Sequence, residues 1–146
     1  MIDLRVKQFF FDKAKVIRAV DKARRAVLSK AGAFIRTTAR RSLRRRKGPA
    51  PPGQPPHSHT GLLKRFLYFA YEPASDSVVI GPAKLNKPGA APRVLEHGGK
   101  TMVQRRRRGR IVRRRVSIEA RPYMGPALEK ERPKLPKLWA GSVRGG

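Results

Sequence analysis

The chain has 146 residues, enough for one domain that buries roughly two thirds of its unfolded surface and too few for two. Its 36 Lys and Arg against 9 Asp and Glu give a net charge of +27, a self-repelling surface that implies nucleic acid or an acidic protein close by. The lack of cysteine excludes disulfide frameworks and zinc–thiolate sites, and no apolar run approaches the ~20 residues that span a bilayer. Charges at Asp3, Arg5, Lys7, Asp12, Lys13 and Lys15 interrupt any signal-peptide core, so synthesis in the cytoplasm is expected.

Residues 2 to 10 alternate loosely and read as a short strand leading into Phe9, Phe10 and Phe11. From Asp12, an N-cap residue, apolar side chains recur at Val16, Val20, Ala23, Val27, Ala31 and Phe34, widened by Ile17, Leu28 and Ile35. This pattern predicts one long amphipathic helix, running past Gly32 and ending near Lys47-Gly48, where prolines forbid continuation. Residues 48 to 59 hold five prolines and two glycines and are expected to form an extended arm with no core of its own. Thr60 to Arg65 reads as a short capped turn feeding a strand at Phe66 to Tyr71. The turn Glu72 to Asp76 and a returning strand at Ser77 to Pro82 complete an antiparallel hairpin.

Lys84 to Ala91 reads as loop, and Pro92 to Gly99 as a short helix with proline in its first turn and glycine at its end. Residues 101 to 118 predict a second hairpin with a very basic tip over Gln104 to Arg110. Its second limb alternates as Val116, Ile118 and Ala120 against Ser117, Glu119 and Arg121, and should stop at Pro122, which cannot donate to a ladder. Pro126 then fits the first position of a helix. The C-terminal segment through Leu135, Leu138 and Trp139 has helical spacing broken by Pro133 and Pro136, giving two short helices or one kinked one. Residues 142 to 146 are expected to be disordered. The predicted fold is α+β, a long N-terminal helix on a small, mainly antiparallel sheet, in one domain over residues 1–146.

Chemistry is sparse in this sequence. His57 and His59 lack converging ligands, which favours solvated loop histidines over a metal site. Glu96 and His97 are neighbours on a helix and point in different directions, so capping and packing suit them better than acid–base catalysis. No phosphate-binding loop, Gly-x-Ser-x-Gly motif or spaced carboxylate cluster occurs. The expectation is a protein without enzymatic activity, catalytic residues, metal or cofactor.

The arginine runs carry the stronger signal. Arg36, Arg40, Arg41, Arg44, Arg45, Arg46 and Lys47 end the long helix, while Arg105, Arg106, Arg107, Arg108, Arg110, Arg113, Arg114 and Arg115 fill the second hairpin. Solubility needs only a modest net charge of mixed sign, so a single-sign field of this strength exceeds what a solvated face requires. Guanidinium groups suit phosphate oxygens, which points to contact with a nucleic-acid backbone or an acidic partner. The runs lack interleaved aromatics and match no sequence-reading motif, which argues against base stacking and sequence-specific binding.

Taken in order, several short motifs resemble those of the tail-completion, or neck, proteins of tailed bacteriophages and prophages, also called minor tail or virion morphogenesis proteins. They are Thr60-Gly61-Leu62-Leu63-Lys64, Ile80-Gly81-Pro82, Glu96-His97-Gly98 and Ala120-Arg121-Pro122-Tyr123-Met124-Gly125-Pro126-Ala127-Leu128. The resemblance spans most of the chain. It departs from the family at His97, where an aromatic is usual, and in the higher charge of the second hairpin. It implies a structural virion protein forming a ring, usually of six copies, between head-closing connector and tail terminator or tail tube, through which double-stranded DNA passes. Within it, Gly61, Gly98 and Pro122 would set backbone geometry, Thr60, Leu62, Glu96, Arg121 and Pro126 would complete the motifs, and Tyr123 and Trp139 would serve packing or subunit contact. The Pro-rich arm would reach over a neighbouring subunit. Another reading of the residues is a basic nucleic-acid-binding protein of ribosomal or nucleoid type.

Overall fold

The computed structural model describes residues 12–83 and 91–143. The expected strand at 2–10, most of the expected loop at 84–91 and the last three residues of the expected disordered tail lie outside them. Helix α1, Lys13–Ser42, begins where Asp12 accepts a hydrogen bond from the Lys15 amide at 2.9 Å, the geometry of a side-chain N-cap. Its buried stripe is Ala23, Val27, Ala31, Ile35 and Ala39, at the four-residue spacing that keeps side chains on one face. Val16, Ile17, Val20 and Phe34, expected on that stripe, are exposed. A 30-residue helix is about 45 Å long, roughly twice the length of the six-residue strands it packs against, so among the described residues the hairpin does not reach the first turns that carry Val16, Ile17 and Val20.

The helix stops five residues before the expected end. Leu43 turns to an extended conformation (φ −77°, ψ 106°) and is fully buried. Continuing would have stacked Arg40 with Arg44 and Arg41 with Arg45 at like-charged i, i+4 positions, whereas breaking there buries Leu43 and frees the cations. The Ser42 hydroxyl donates to the Ala39 carbonyl at 2.7 Å and satisfies one end of the last turn.

Strands β1 (Leu67–Glu72) and β2 (Ser77–Pro82) form an antiparallel hairpin, with Leu67 opposite Pro82 and Glu72 opposite Ser77. It lies on α1 at Gly32. A methyl group added there would stand 2.6 Å from Val78 Cγ2 and 2.8 Å from Phe69 Cδ2, so this mid-helix glycine is a packing requirement. Arg24 ties the same surfaces together, pairing with Asp21 on its own helix and Asp76 in the hairpin turn. The short helix α2, Leu62–Arg65, precedes β1.

Helix α3 spans Ala91–His97, and strands β3 (Gly99–Arg107) and β4 (Arg110–Ile118) form a second antiparallel hairpin. Among the described residues this is a separate two-stranded sheet, so the one small sheet expected from the sequence is two. Within the basic tip over Gln104 to Arg110 the pairing continues to Arg107 and Arg110; only Arg108 and Gly109 turn, both at positive φ (47° and 77°), as in the tight turns favoured between twisted strands. The ladder ends at Ile118, the last residue of the hairpin read from the sequence, and the alternation that ran on to Arg121 is not paired, because Gly98 at φ 74° turns the partner strand away.

Helix α4, Met124–Glu131, passes through a 3-10 turn at Arg132–Lys134 into α5, Leu135–Trp139. Of the two C-terminal alternatives, the chain takes two short helices. Pro133 and Pro136 each sit in the first turn of the segment they open, where a missing N–H costs nothing. Pro126 lies third in α4 and not at its start. Ile35 and Ala39 of α1, Leu43 just beyond it, Leu67, Tyr123 and Ala127 make the central core, lined by Leu63, Ile80 and Met124. No described helix is long and apolar enough to cross a membrane.

Candidate nucleic-acid interface and the junction behind it

Two of the sequence motifs meet in one place. Glu96, near the end of α3, points its carboxylate at the start of α4: Oε2 accepts from the Tyr123 and Met124 amides at 2.9 and 3.1 Å, and Oε1 from the Gly125 amide at 2.8 Å. A helix start leaves such amides unpaired and carries partial positive charge, so an anion here satisfies both needs. The Arg121 amide donates to the Leu95 carbonyl at 2.7 Å, and Gly98 passes so close that an added methyl would lie 3.0 Å from the Ala120 nitrogen. The Arg121 amide thus bonds to α3 and the Ala120 carbonyl to the arm, where strand was expected. Packing of Glu96, anticipated only in general terms, is a long-range cap that sequence spacing does not display.

The Pro-rich arm joins the same junction. It carries no helix or strand, but it lies along its own chain, where the sequence suggested an extended reach: Arg121 Nε donates to the Ala50 carbonyl at 2.8 Å, and the Gly53 amide to the Ala120 carbonyl at 3.0 Å. The Ser58 amide donates to the Arg44 carbonyl at 2.9 Å, and Ala50, Pro56 and Ser58 are buried. Having no core of its own, the arm borrows one. His57 Nδ1 lies 3.3 Å from the Gly48 carbonyl, and His59 is exposed. Among the described residues no three His, Asp or Glu side chains gather to hold a metal.

Tyr123 is 1 % exposed, and burial, with the Glu96 carboxylate nearby, pushes its phenol up to about 12. Trp139, by contrast, is 46 % exposed and packs little within this chain. Gly61 adopts a left-handed conformation (φ 75°) at the start of α2, where the exposed Thr60 accepts from the Leu62 amide at 3.4 Å. Leu62 is exposed, while Leu63 reaches the core. Pro122 is half-buried and Pro126 exposed.

The junction carries the second hairpin. Register puts Met102, Gln104, Arg106, Ile111, Arg113 and Arg115 on one face with Lys100 and Ser117, and all of these are exposed. On the other face Thr101, Val103, Val116 and Ile118 are half-buried at the base, but Arg110, Val112 and Arg114 towards the tip are exposed. Only the base is seated, and the tip half projects with both faces in solvent. Arg108 is exposed in the turn; Arg105 and Arg107 stand opposite Val112 and Arg110 on β3. The segment 99–118 contains nine Lys and Arg and no carboxylate, so nothing on the hairpin itself neutralises it.

The second basic group divides. Arg36 is committed internally, donating from Nε to the Leu67 carbonyl at 2.6 Å with its guanidinium over Tyr68, and is not available to a ligand. Arg40 and Arg41 close α1, whereas Arg44, Arg45, Arg46 and Lys47 are exposed on the non-helical segment beyond it. Among the described residues no hydrogen bond or ion pair links this group to the hairpin. The cleft beside α1 and α4, about 420 Å³, holds Glu131, which accepts from Thr38 Oγ1 at 2.6 Å and from Lys134 at 3.0 Å. These bonds hold its carboxyl below the usual range. Sequence reading missed Glu131, because its partner Thr38 is 93 residues away.

No family model, curated protein or solved structure matches this chain.

Proposed function

We propose that this is a structural, non-enzymatic protein of the head–tail junction of a tailed virion, built into a ring between head-closing connector and tail tube or terminator through which DNA passes. The observation that carries the reading is the projecting hairpin, nine cations without a carboxylate on a ribbon of nine-residue strands about 30 Å long. A cationic ribbon of this kind fits an anion-rich surface: packaged duplex, whose phosphates need no sequence reading, or an acidic neighbouring ring. Several copies at +27 each can sit together only with phosphates or acidic groups inside the ~8 to 10 Å screening range of physiological salt.

The motif resemblance supports the same reading, since Glu96, Gly98, Arg121, Pro122 and Tyr123 have a common physical purpose in seating the hairpin. Trp139 is a candidate subunit contact because it is left exposed. Because the arm is docked on its own chain, subunit contact through it would use its outer surface. A basic nucleic-acid-binding protein of ribosomal or nucleoid type is the second reading, favoured by the exposed cations Arg106, Arg108, Arg110, Arg113, Arg114 and Arg115 of the hairpin, which can meet a nucleic-acid backbone directly. Replacing Arg105, Arg106, Arg107 and Arg108 with serine separates them: junction function predicts a folded chain and heads that fail to retain DNA or join tails. Wild-type yields of infectious particles from that variant would remove the DNA-facing role.

A further inference from the structure

We infer that Arg40, Arg41 and Lys64 form a binding site for a single phosphate group, apart from the hairpin. The three cations and Thr37 line a cleft of about 170 Å³ between the last turn of α1 and α2. The cleft is made by two pieces of local structure. Thr37, Arg40 and Arg41, at spacings of three and four, share one face of α1. The left-handed turn at Gly61 starts α2 so that Leu63 enters the core and Lys64 stands over the cleft.

Its chemistry is one-sided. Among the described residues the ion pairs involve Arg24, Arg132 and Lys134, and none engages Arg40, Arg41 or Lys64. The Thr37 hydroxyl spends its hydrogen on the Ala33 carbonyl at 2.7 Å, so the donors offered to a ligand are the cationic ones. The neighbouring larger cleft shares Arg41 but contains the Glu131 carboxylate, which opposes an anion there. Three donors arriving from two helices suit a tetrahedral oxyanion, which presents acceptors in several directions; a planar carboxylate offers two oxygens in one plane. Arg40 is half-buried, so part of its ordering cost is met before a ligand arrives.

The phosphate chemistry stands on these residues alone; its source as a nucleic-acid backbone rests on the proposed function. The test uses the full chain and two exposed single-charge variants, Lys64→Gln in the cleft and Lys22→Gln on the far part of α1 as a charge-matched control. Inorganic phosphate binding should weaken about tenfold in Lys64→Gln, the equivalent of one charge-assisted hydrogen bond, and stay unchanged in Lys22→Gln. With a mixed-sequence duplex, Lys64→Gln alone should lower the salt slope of log affinity by about 0.9, one phosphate contact. Equal effects of the two variants on phosphate binding would overturn the site. Weakened phosphate binding with an unchanged duplex slope would overturn the nucleic-acid source and assign the cleft to free phosphate. Neither result depends on whether the chain is found in a virion, so failure of the junction reading remains separately visible.

Discussion

Glu96 and Tyr123 are joined by a 2.9 Å hydrogen bond from the Tyr123 amide to the Glu96 carboxylate, linking the end of α3 to the start of α4 across 27 positions of sequence. The same carboxylate holds two further amides, so one side chain sets the angle between the hairpin's support and the core helix. Glu96→Ala should lower unfolding free energy by about 1 to 3 kcal/mol, the penalty for leaving partly buried donors unpaired. Glu96→Gln, which keeps one accepting oxygen but not the charge, should lose less. Denaturant unfolding checks this, and two variants as stable as the parent would show that the cap contributes little.

Gly32 and Gly98 should both resist substitution, for different reasons. Gly32→Ala gains up to about 1 kcal/mol of helix propensity but drives a methyl into Val78 and Phe69, an overpacking cost of about 1 to 3 kcal/mol. Net destabilisation is expected. Gly98→Ala meets backbone rather than a flexible side chain, and at φ 74°, so it should be the worse of the two. Melting temperatures of both variants provide the check.

Stability should fall at both ends of the pH scale through two identified groups. The Tyr123 phenol is raised in the fold to about 12 from an ordinary 10, so its contribution is complete below pH 10 and is lost as pH climbs towards 12. Glu131 is lowered, chiefly by the Thr38 hydroxyl and then by Lys134, so its contribution is present above the ordinary carboxylate value near 4.5 and is lost as pH falls through the lower folded value. Tyr123→Phe should flatten the alkaline limb and Thr38→Val the acid limb. Unfolding curves across pH that keep both limbs in these variants would assign the titration elsewhere.

Duplex binding by the isolated chain should be steeply salt-dependent and indifferent to sequence. Replacing Lys100, Arg106, Arg113 and Arg115, the exposed cations of one hairpin face, with glutamine should reduce the salt slope by up to about 3.6, one step of 0.9 for each phosphate released. Fluorescence anisotropy over a salt series reads this directly. An unchanged slope would assign that face to protein instead of DNA.

Local signals in the sequence located most elements. Asp12 marks the start of α1, Gly98 the end of α3, and alternation with turn residues marks both hairpins. What eluded a residue-by-residue reading was set by distant partners. The amphipathic pattern of α1 runs on regardless of where the body ends, so it could not tell that Val16, Ile17 and Val20 would be uncovered. Leu43 ends the helix because a core position awaits it, and no local cap announces that. Prolines predicted an irregular arm but not its docking, which depends on Arg121 reaching Ala50 across 71 positions. The charge of the hairpin was legible because charge density needs no partner, whereas the cleft at Lys64 depends on how α1 and α2 are placed.

A polycation of this strength is proposed to belong to an anion-rich assembly where a virion's head meets its tail. Imaging of the particle whose genome encodes the chain tests it most directly. A ring of these subunits is expected between connector and tail, with the hairpin 99–118 against packaged DNA or an acidic neighbouring ring. Mature, infectious particles that contain no copy of the chain would contradict it.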